Sequence, residues 1–372
     1  MSFKDKNTDL NHTLSCHNCG ATLQYEPGTF QLKCSYCGTI NEIEQTNPDD
    51  IQALDYEAFI AGNSLQPENK IEIRVVQCRQ CGAQTSLPDG ITSELCAFCN
   101  SPLVVSTAKN EQLLRPHYIL PFLLKAKEAE ERLSNWMSAL WFAPSTLIKN
   151  VKQIQRDHFV GMYLPHWAYD TETETSYDGQ QGIHYWGTES YTTEENGKTV
   201  TRTRQVQRTR WYPVSGRVSC SFKDVLVLAS NSLSRNVADK LEPWQLDKLQ
   251  VFDERYISGF RSETYRIDAV AGLNIAKRKM EDTIISAIYN DIGGDEQQIS
   301  DHESTYNHIK LKYNLLPIWI SAYQFKNKVY QIAINATTGE VIGERPYSAL
   351  KIIFAVLVVI LIVLIIYLVA GG

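Results

Sequence analysis

The chain has 372 residues, 43% of them hydrophobic, and a formal net charge of -6, enough for two or three folded units and too ordered a composition for an unstructured tail. That acidity excludes a whole-molecule attraction to nucleic acid or anionic lipid, so any such contact has to come from a local patch. Residues 1–11 mix Lys4, Asp5, Lys6 and Asp9 with polar side chains and lack the apolar stretch of a secretory leader, so the N-terminus is expected in the cytosol.

Nine cysteines are present and eight fall into Cys-x-x-Cys pairs, a pattern of ligands that suits a reducing compartment. The ninth, Cys220, lies among small and apolar residues and reads as a buried small hydrophobe. The pairs come two by two with the same separation: Cys16, Cys19, Cys34 and Cys37, then Cys78, Cys81, Cys96 and Cys99. Four thiolates at this spacing surround one tetrahedral Zn²⁺, each pair on a tight knuckle. Gly20, Gly38 and Gly82 follow a ligand cysteine where positive φ is favoured, and Asn100 takes the fourth such place. A dithiol redox site is the competing account, but it needs one pair on a helix N-terminus after a strand. His17 sits inside the first knuckle, and with four sulfurs closing the site it is expected to be an exposed imidazole.

An offset of 62 aligns Cys16, Gly20, Ala21 and Gly28 with Cys78, Gly82, Ala83 and Gly90, an internal duplication. The expected units are a zinc ribbon at 12–44, a linker at 45–71 and a second ribbon at 72–106, holding two structural zinc ions with no open coordination position for catalysis. Their removal is expected to unfold the two ribbons and leave the remainder intact.

Residues 113–347 read as a mixed α+β domain with antiparallel strands. Ala129, Leu133, Trp136, Met137 and Leu140 recur at helical spacing and predict a helix over 125–141, with Pro144 beyond it. A strand region follows at 159–177, containing Tyr163-Leu164-Pro165-His166-Trp167. Asn196-Gly197 between polar runs predicts a hairpin turn. The longest helix is expected at 266–291, stopped by Gly293-Gly294, and strands over 309–344 with turns at 326–328 and 337–339. Leu315-Leu316-Pro317-Ile318-Trp319 echoes the earlier Leu-Pro-His-Trp.

Within 201–210, Arg202, Arg204, Arg208 and Arg210 all fall on even positions, so a strand there carries four guanidinium groups on one face. They read either as a stripe for anionic headgroups or an acidic partner, or as a solvated face paired with Glu189, Glu194 and Glu195, the account preferred here. Residues 1–110 hold seven Lys and Arg against thirteen Asp and Glu, a balance of 7 - 13 = -6, so the cysteine half lacks the clustered cations that phosphate binding needs. Nucleotide-binding, hydrolase and zinc-protease motifs are absent, and His117, His158, His166, His184, His302 and His308 are scattered without metal spacing. No catalytic residue is assigned, and no enzymatic activity is expected.

Residues 352–370 carry no charge, Pro or Gly and span roughly 28 Å as a helix, close to the hydrocarbon thickness. A transmembrane helix over 351–370 is expected, followed only by Gly371-Gly372. Arg345 and Lys351 flank its N-terminal side, which keeps the bulk of the chain in the cytosol, single-pass in the cytoplasmic membrane. No GxxxG face marks it for tight helix pairing.

The runs Leu120-Pro121-Phe122, Trp141-Phe142-Ala143-Pro144, Gly161-Met162-Tyr163-Leu164-Pro165-His166-Trp167, residues 335–340 and Gly343-Glu344-Arg345-Pro346-Tyr347, together with the paired cysteine sets and terminal helix, cover most of the chain. In these it resembles a family of bacterial double zinc-ribbon, tail-anchored membrane proteins. Members are sometimes labelled primosomal protein N' or helicase-like, a label that no helicase motor in this chain supports. Some relatives are linked to the phage-shock membrane-stress response, where such a protein helps bring phage shock protein A to the bilayer. The resemblance implies a scaffold and carries over the eight cysteines as zinc ligands. The expected function is a membrane-anchored adaptor or scaffold of an envelope or membrane-stress response, whose ribbons project into the cytosol as protein-docking modules, with a nucleic-acid-binding protein tethered at the membrane as the alternative.

Overall fold

The computed structural model describes residues 15–21, 23–63, 70–86, 94–144, 159–195, 198–325 and 328–370. Around the first cysteine set, β1 (Leu23–Tyr25), β2 (Gln31–Cys34) and β3 (Ile40–Glu42) form an antiparallel meander. Strand β4 (Leu54–Asp55) and helix α1 (Tyr56–Asn63) follow, then β5 (Lys70–Gln77), β6 (Gln84–Ser86), β7 (Glu94–Leu95), β8 (Pro102–Leu103) and β9 (Lys109–Leu114) around the second set. Next come β10 (Tyr118–Ile119), α2 (Ala126–Ser138), β11 (Phe159–Glu195), β12 (Lys198–Leu228) and α3 (Arg235–Lys240). The chain continues through β13 (Gln250–Val251), β14 (Arg261–Ser262), α4 (Ala269–Ile292), β15 (Glu296–Phe325), β16 (Lys328–Asn335), β17 (Val341–Gly343) and α5 (Ala349–Ala370). The architecture is mixed α+β with mostly antiparallel strands, two cysteine clusters near the N-terminus and one apolar C-terminal helix.

The frame is β11, flanked by β12 on one side and β15 on the other, both antiparallel. Its 37 residues pass through three environments that its composition dictates. Residues 161–169 are buried on both faces, as a continuous run of large side chains requires. From Thr171 to Tyr177 burial alternates, with Thr171, Thr173, Thr175 and Tyr177 inward and Glu172, Glu174 and Ser176 outward. Past Gly182, where β15 stops pairing, most side chains face solvent.

The two Leu-Pro-x-Trp runs lie side by side. Leu164 pairs with Leu316, Tyr163 with Pro317 and Pro165 with Leu315, so the motifs cross about a local twofold. Neither proline costs a ladder bond at this point, because the pairing of β12 ends at His166 and that of β16 at Ile318. At Asp170–Thr171 both neighbours bulge. Asp224 and His308 take φ of 54° and 52° there, and buried Lys312 bonds Asp224 with Asp170 close by, closing the bend.

Helix α2 forms because Ala129, Leu133 and Met137 make one fully buried stripe. Helix α4 starts where Asp268 accepts the Ala271 amide at 2.7 Å and ends at Gly293, φ 63°. Its face of Leu273, Ala276, Met280, Ile284 and Ile288 covers the half-buried part of the sheet. Gly272 lets it approach: a Cβ there meets the Tyr169 hydroxyl at 2.5 Å and Trp167 Cδ1 at 2.9 Å. Strand β15 begins at Glu296, thirteen residues before the expected 309. Residues 296–308 carry only Ile299 and Tyr306 as large apolar side chains, so no hydrophobic alternation announces the strand. Asn196-Gly197 lies outside the described residues, yet Glu195 pairs with Lys198 and closes the ladder next to it.

Two further expectations are corrected. The stretch 45–71 is more than a linker: Leu54 and Asp55 pair with Leu311 and Lys310, and Tyr56 and Phe59 of α1 enter the core beside Trp167. The cysteine modules do not project either. Leu23, Tyr25, Leu32 and Ile43 share one hydrophobic cluster with Phe122, Tyr163 and Tyr256, and Phe98 and Leu103 share another with Leu164, Leu228 and Ile318. Each module is too small to bury its own apolar face and borrows the sheet to do so.

Candidate metal centres

All four knuckles repeat one hydrogen-bond pattern. The amides of Gly20, Gly38, Gly82 and Asn100 donate to the carbonyls of Cys16, Cys34, Cys78 and Cys96 at 2.7, 3.0, 2.9 and 2.8 Å. Those four residues have φ of 71°, 73°, 78° and 60°, the left-handed region that Gly and Asn occupy most readily. The turns lead each pair of Sγ atoms to one point, and the four ligand atoms of each set lie within 4.8 Å of one another. The Sγ–Sγ edges are 3.6 Å for Cys16–Cys37, 3.5 Å for Cys19–Cys34, 3.5 Å for Cys78–Cys99 and 3.6 Å for Cys81–Cys96. A tetrahedron with bonds of about 2.3 Å has edges of about 3.8 Å, whereas a disulfide closes to about 2.05 Å. All eight cysteines are free thiols, so both sets fit a metal ion and neither is cross-linked.

The thiols of each set divide: neighbouring thiols push Cys19 up to about 12 and raise Cys81, and burial raises Cys99, while hydrogen bonds pull others down. The Thr39 hydroxyl, 3.0 Å from Cys37 Sγ, and the Thr39 amide hold Cys37 down to about 5. The Asn18 amide, ahead of the Cys19 amide, lowers Cys16. Cys16, Cys34, Cys78 and Cys96 are buried against the body while Cys19, Cys37 and Cys81 are exposed, so each centre sits at a seam with one side to solvent. His17 is exposed and outside the sulfur tetrad.

The modules differ in how they attach. Tyr25 donates its hydroxyl to the Phe122 carbonyl at 3.2 Å, and the Gly28 amide reaches the same oxygen at 2.8 Å. On the second, β6 pairs with β5, which pairs in turn with β9, so this unit spans 70–114 and exceeds the expected 72–106. Arg261 bonds Glu94 at 2.5 Å and the Leu95 carbonyl at 3.1 Å, and Gln331 donates to the Phe98 carbonyl at 2.9 Å. The duplication visible in sequence is thus preserved in the knuckles and in the hairpin around the second of each pair, where Leu32 and Lys33 face Asn41 and Ile40 as Glu94 and Leu95 face Leu103 and Pro102, and it is lost in the first strand, β1 pairing with β2 but β6 with β5.

The scattered histidines are not brought together. Burial holds His166 and His117 down to about 4, so both are neutral. His184 pairs with Glu296 at 2.7 Å and His302 with Glu281 at 2.6 Å, while His158 lies outside the described residues. A polar cleft of about 490 Å³ beside Cys78 is lined by Arg79, Gln84, Lys109, Glu111 and Arg266, among others. Neither His166 nor Glu263 lines it.

Sequence reasoning passed over Glu263, because a lone Glu is almost always exposed. It is buried where β14 meets the second module; Ser230 donates to its Oε2 at 2.8 Å, and Oε1 has no partner. Burial pushes its pKa up to about 8. A folded pKa above the unfolded one means stability that is fully present below pH ~4.5 and drains away as pH rises through about 8. Glu263→Gln, which cannot ionise, is therefore expected to match the wild type near pH 5 and exceed it by a few kcal/mol, order of magnitude, near pH 9. Thermal melts across that range check this; a parallel pH dependence in both proteins overturns it.

The four arginines do share a face. The register across β11 and β12 is unbroken from Thr171 to Glu195, with Arg202 opposite Tyr191, Arg204 opposite Glu189, Arg208 opposite Tyr185 and Arg210 opposite Ile183. Arg204 bonds Glu189 at 2.8 Å, while Arg210 stacks over Tyr185 at 4.9 Å and Arg204 over Tyr191 at 5.5 Å. Glu194 falls on the opposite face, so the expected three-carboxylate pairing reduces to Glu189 among the described side chains.

No family model matches the chain. It is 25% identical over 346 residues to a Bacillus subtilis (strain 168) protein named "Uncharacterized protein YdjG", a similarity covering 91% of each chain. No solved structure matches it.

Proposed function

We propose that this protein is a membrane-anchored adaptor: α5 spans the bilayer, two zinc ions staple the cysteine modules into a rigid body, and the outer end of the β11–β12 ribbon is the docking surface. Zinc follows from the donor set, since four thiolates in a closed tetrahedron suit a structural, redox-silent ion. Such centres leave no coordination position for water, so the reading is a binding protein and not an enzyme.

The observation that carries it is the ribbon itself. Pairing with β15 ends at Gly182, and His184 and Thr209 still bond Glu296, so residues 185–195 and 198–208 extend beyond as two strands about 35 Å long. Between 183 and 210 the sequence has five cations, Lys198, Arg202, Arg204, Arg208 and Arg210, against three carboxylates, Glu189, Glu194 and Glu195, a basic segment in an acidic protein. Tyr185 and Tyr191 stiffen the arginine face by stacking. An acidic protein surface is its natural complement.

The resemblance to zinc-ribbon adaptors of the membrane-stress response makes phage shock protein A the first partner to try. Joining Ile183 to Arg210 through Asn-Gly removes the arm at a paired position and keeps the body. Binding of the purified partner to the full chain in nanodiscs is expected to weaken at least tenfold in that variant and in the quadruple Arg→Ala variant, with unchanged melting. Equal binding by the shortened chain overturns the reading. A gel shift with nucleic acid that the quadruple variant loses favours the tethered nucleic-acid-binding alternative instead.

A further inference from the structure

The loop after α2 meets the first turn of α5. Leu140 and Ala143 are buried and fix this loop to the core, yet Trp141 between them is 72% exposed and stacks on Phe142 with ring centroids 5.5 Å apart. The Lys351 ammonium donates to the carbonyls of Trp141 at 3.0 Å and Ala143 at 2.8 Å, and the Ser348 amide donates to the Phe142 carbonyl at 2.8 Å. Tyr347, 61% exposed, lies at the same level with the Arg345 guanidinium 5.4 Å from its ring centre. Three bonds thus clamp an exposed aromatic loop to the point where the apolar helix begins.

Soluble surfaces gain nothing from exposing an indole held this rigidly. The membrane interface does: Trp and Tyr settle at headgroup level, with the ring in the acyl boundary and the polar edge in the wet layer. Lys351 is the last cation before the uncharged run 352–370, so it and Trp141 are at one depth.

We propose that Trp141, with Phe142 and Tyr347, forms a second membrane contact that seats the body on the phospholipid interface at a fixed tilt. This rests on α5 crossing the bilayer. Because the carbonyls of 141 and 143 are bonded to the helix, the body cannot swivel freely on its anchor. The arm, which leaves from the far end of β11, is held out from the membrane.

The test uses the full chain reconstituted in phosphatidylcholine vesicles with lipids brominated near the top of the acyl chain, which quench tryptophan on contact. Of the seven Trp, Trp141 supplies the quenched component, so up to about one seventh of the emission is expected to be quenched in the wild type and in Trp186→Phe, and not in Trp141→Phe. Trp186 is equally exposed, at 71%, but sits on the arm, so its variant controls for general lipid access. Equal quenching in wild type and Trp141→Phe overturns the seat while flotation of the protein with vesicles still upholds the anchor. Failure to float overturns the anchor and the seat together.

Discussion

Stripping metal from the two cysteine clusters is expected to unfold the body of the protein along with the modules that carry them. The sequence points to the opposite, two ribbons melting while residues 113–347 stay intact, and the packing is what changes the expectation. Cys16 and Cys34 belong to the cluster that contains Phe122, Tyr163 and Trp319, and Cys78 and Cys96 to the one that contains Leu164, Leu228 and Ile318. Both clusters lie against β11. A structural zinc site contributes on the order of 10 kcal/mol, while a domain is stable by about 5–15 kcal/mol in total. Losing either centre removes one wall of a shared core, and the remaining walls cannot close over it. Hydrogen exchange before and after chelation reads this directly: faster exchange at 161–169 and 315–320 is expected, and Cys34→Ser should reproduce the effect of losing the first ion. Exchange that rises only within 15–43 and 70–114 counts against it, and elemental analysis below two metal equivalents removes its premise.

Three arginines in α5 are expected to release the protein from the membrane, and one is not. The helix from Ala349 to Val369 is long and apolar enough to cross a bilayer, and its residues are exposed apart from a few half-buried ones in the first turns. At roughly 0.3–0.6 kcal/mol per Leu, Ile, Val or Phe, the seventeen such positions favour insertion by on the order of 5–10 kcal/mol, and each central arginine costs about 3 kcal/mol. Ile360→Arg leaves insertion favourable; Val356, Ile360 and Leu364 all changed to Arg leave about 4–8 kcal/mol against a cost of about 9 and turn the balance against insertion. Carbonate-resistant pelleting should survive the single change and be lost with the triple one, at unchanged melting of the body because the three side chains touch none of its core. A triple variant that stays in the pellet shows that something other than α5 holds the protein there.

Much of this was legible from the residues. The cysteine spacing located both candidate metal centres, and Gly20, Gly38, Gly82 and Asn100 announced four left-handed turns because few other residues occupy that backbone region cheaply. Helices α2 and α4 were readable within a few residues from their apolar stripes and end signals. The charge-free run 352–370 was plain because its length and composition match a membrane-spanning helix without any appeal to periodicity. These are local properties, decided by a residue and its neighbours within a turn or two.

What tertiary structure alone decided depends on partners far away in the chain. Whether the cysteine modules project or pack turns on Leu23 and Tyr25 finding Phe122 and Tyr256, contacts with no local trace. Residues 296–308 become a strand because β11 offers a free edge, although their own polar sequence gives no alternation to read. Glu263 is buried by elements on three sides that the sequence keeps apart. The reach of the arm is set by where β15 stops pairing, so its length is a difference between strands and belongs to no single segment.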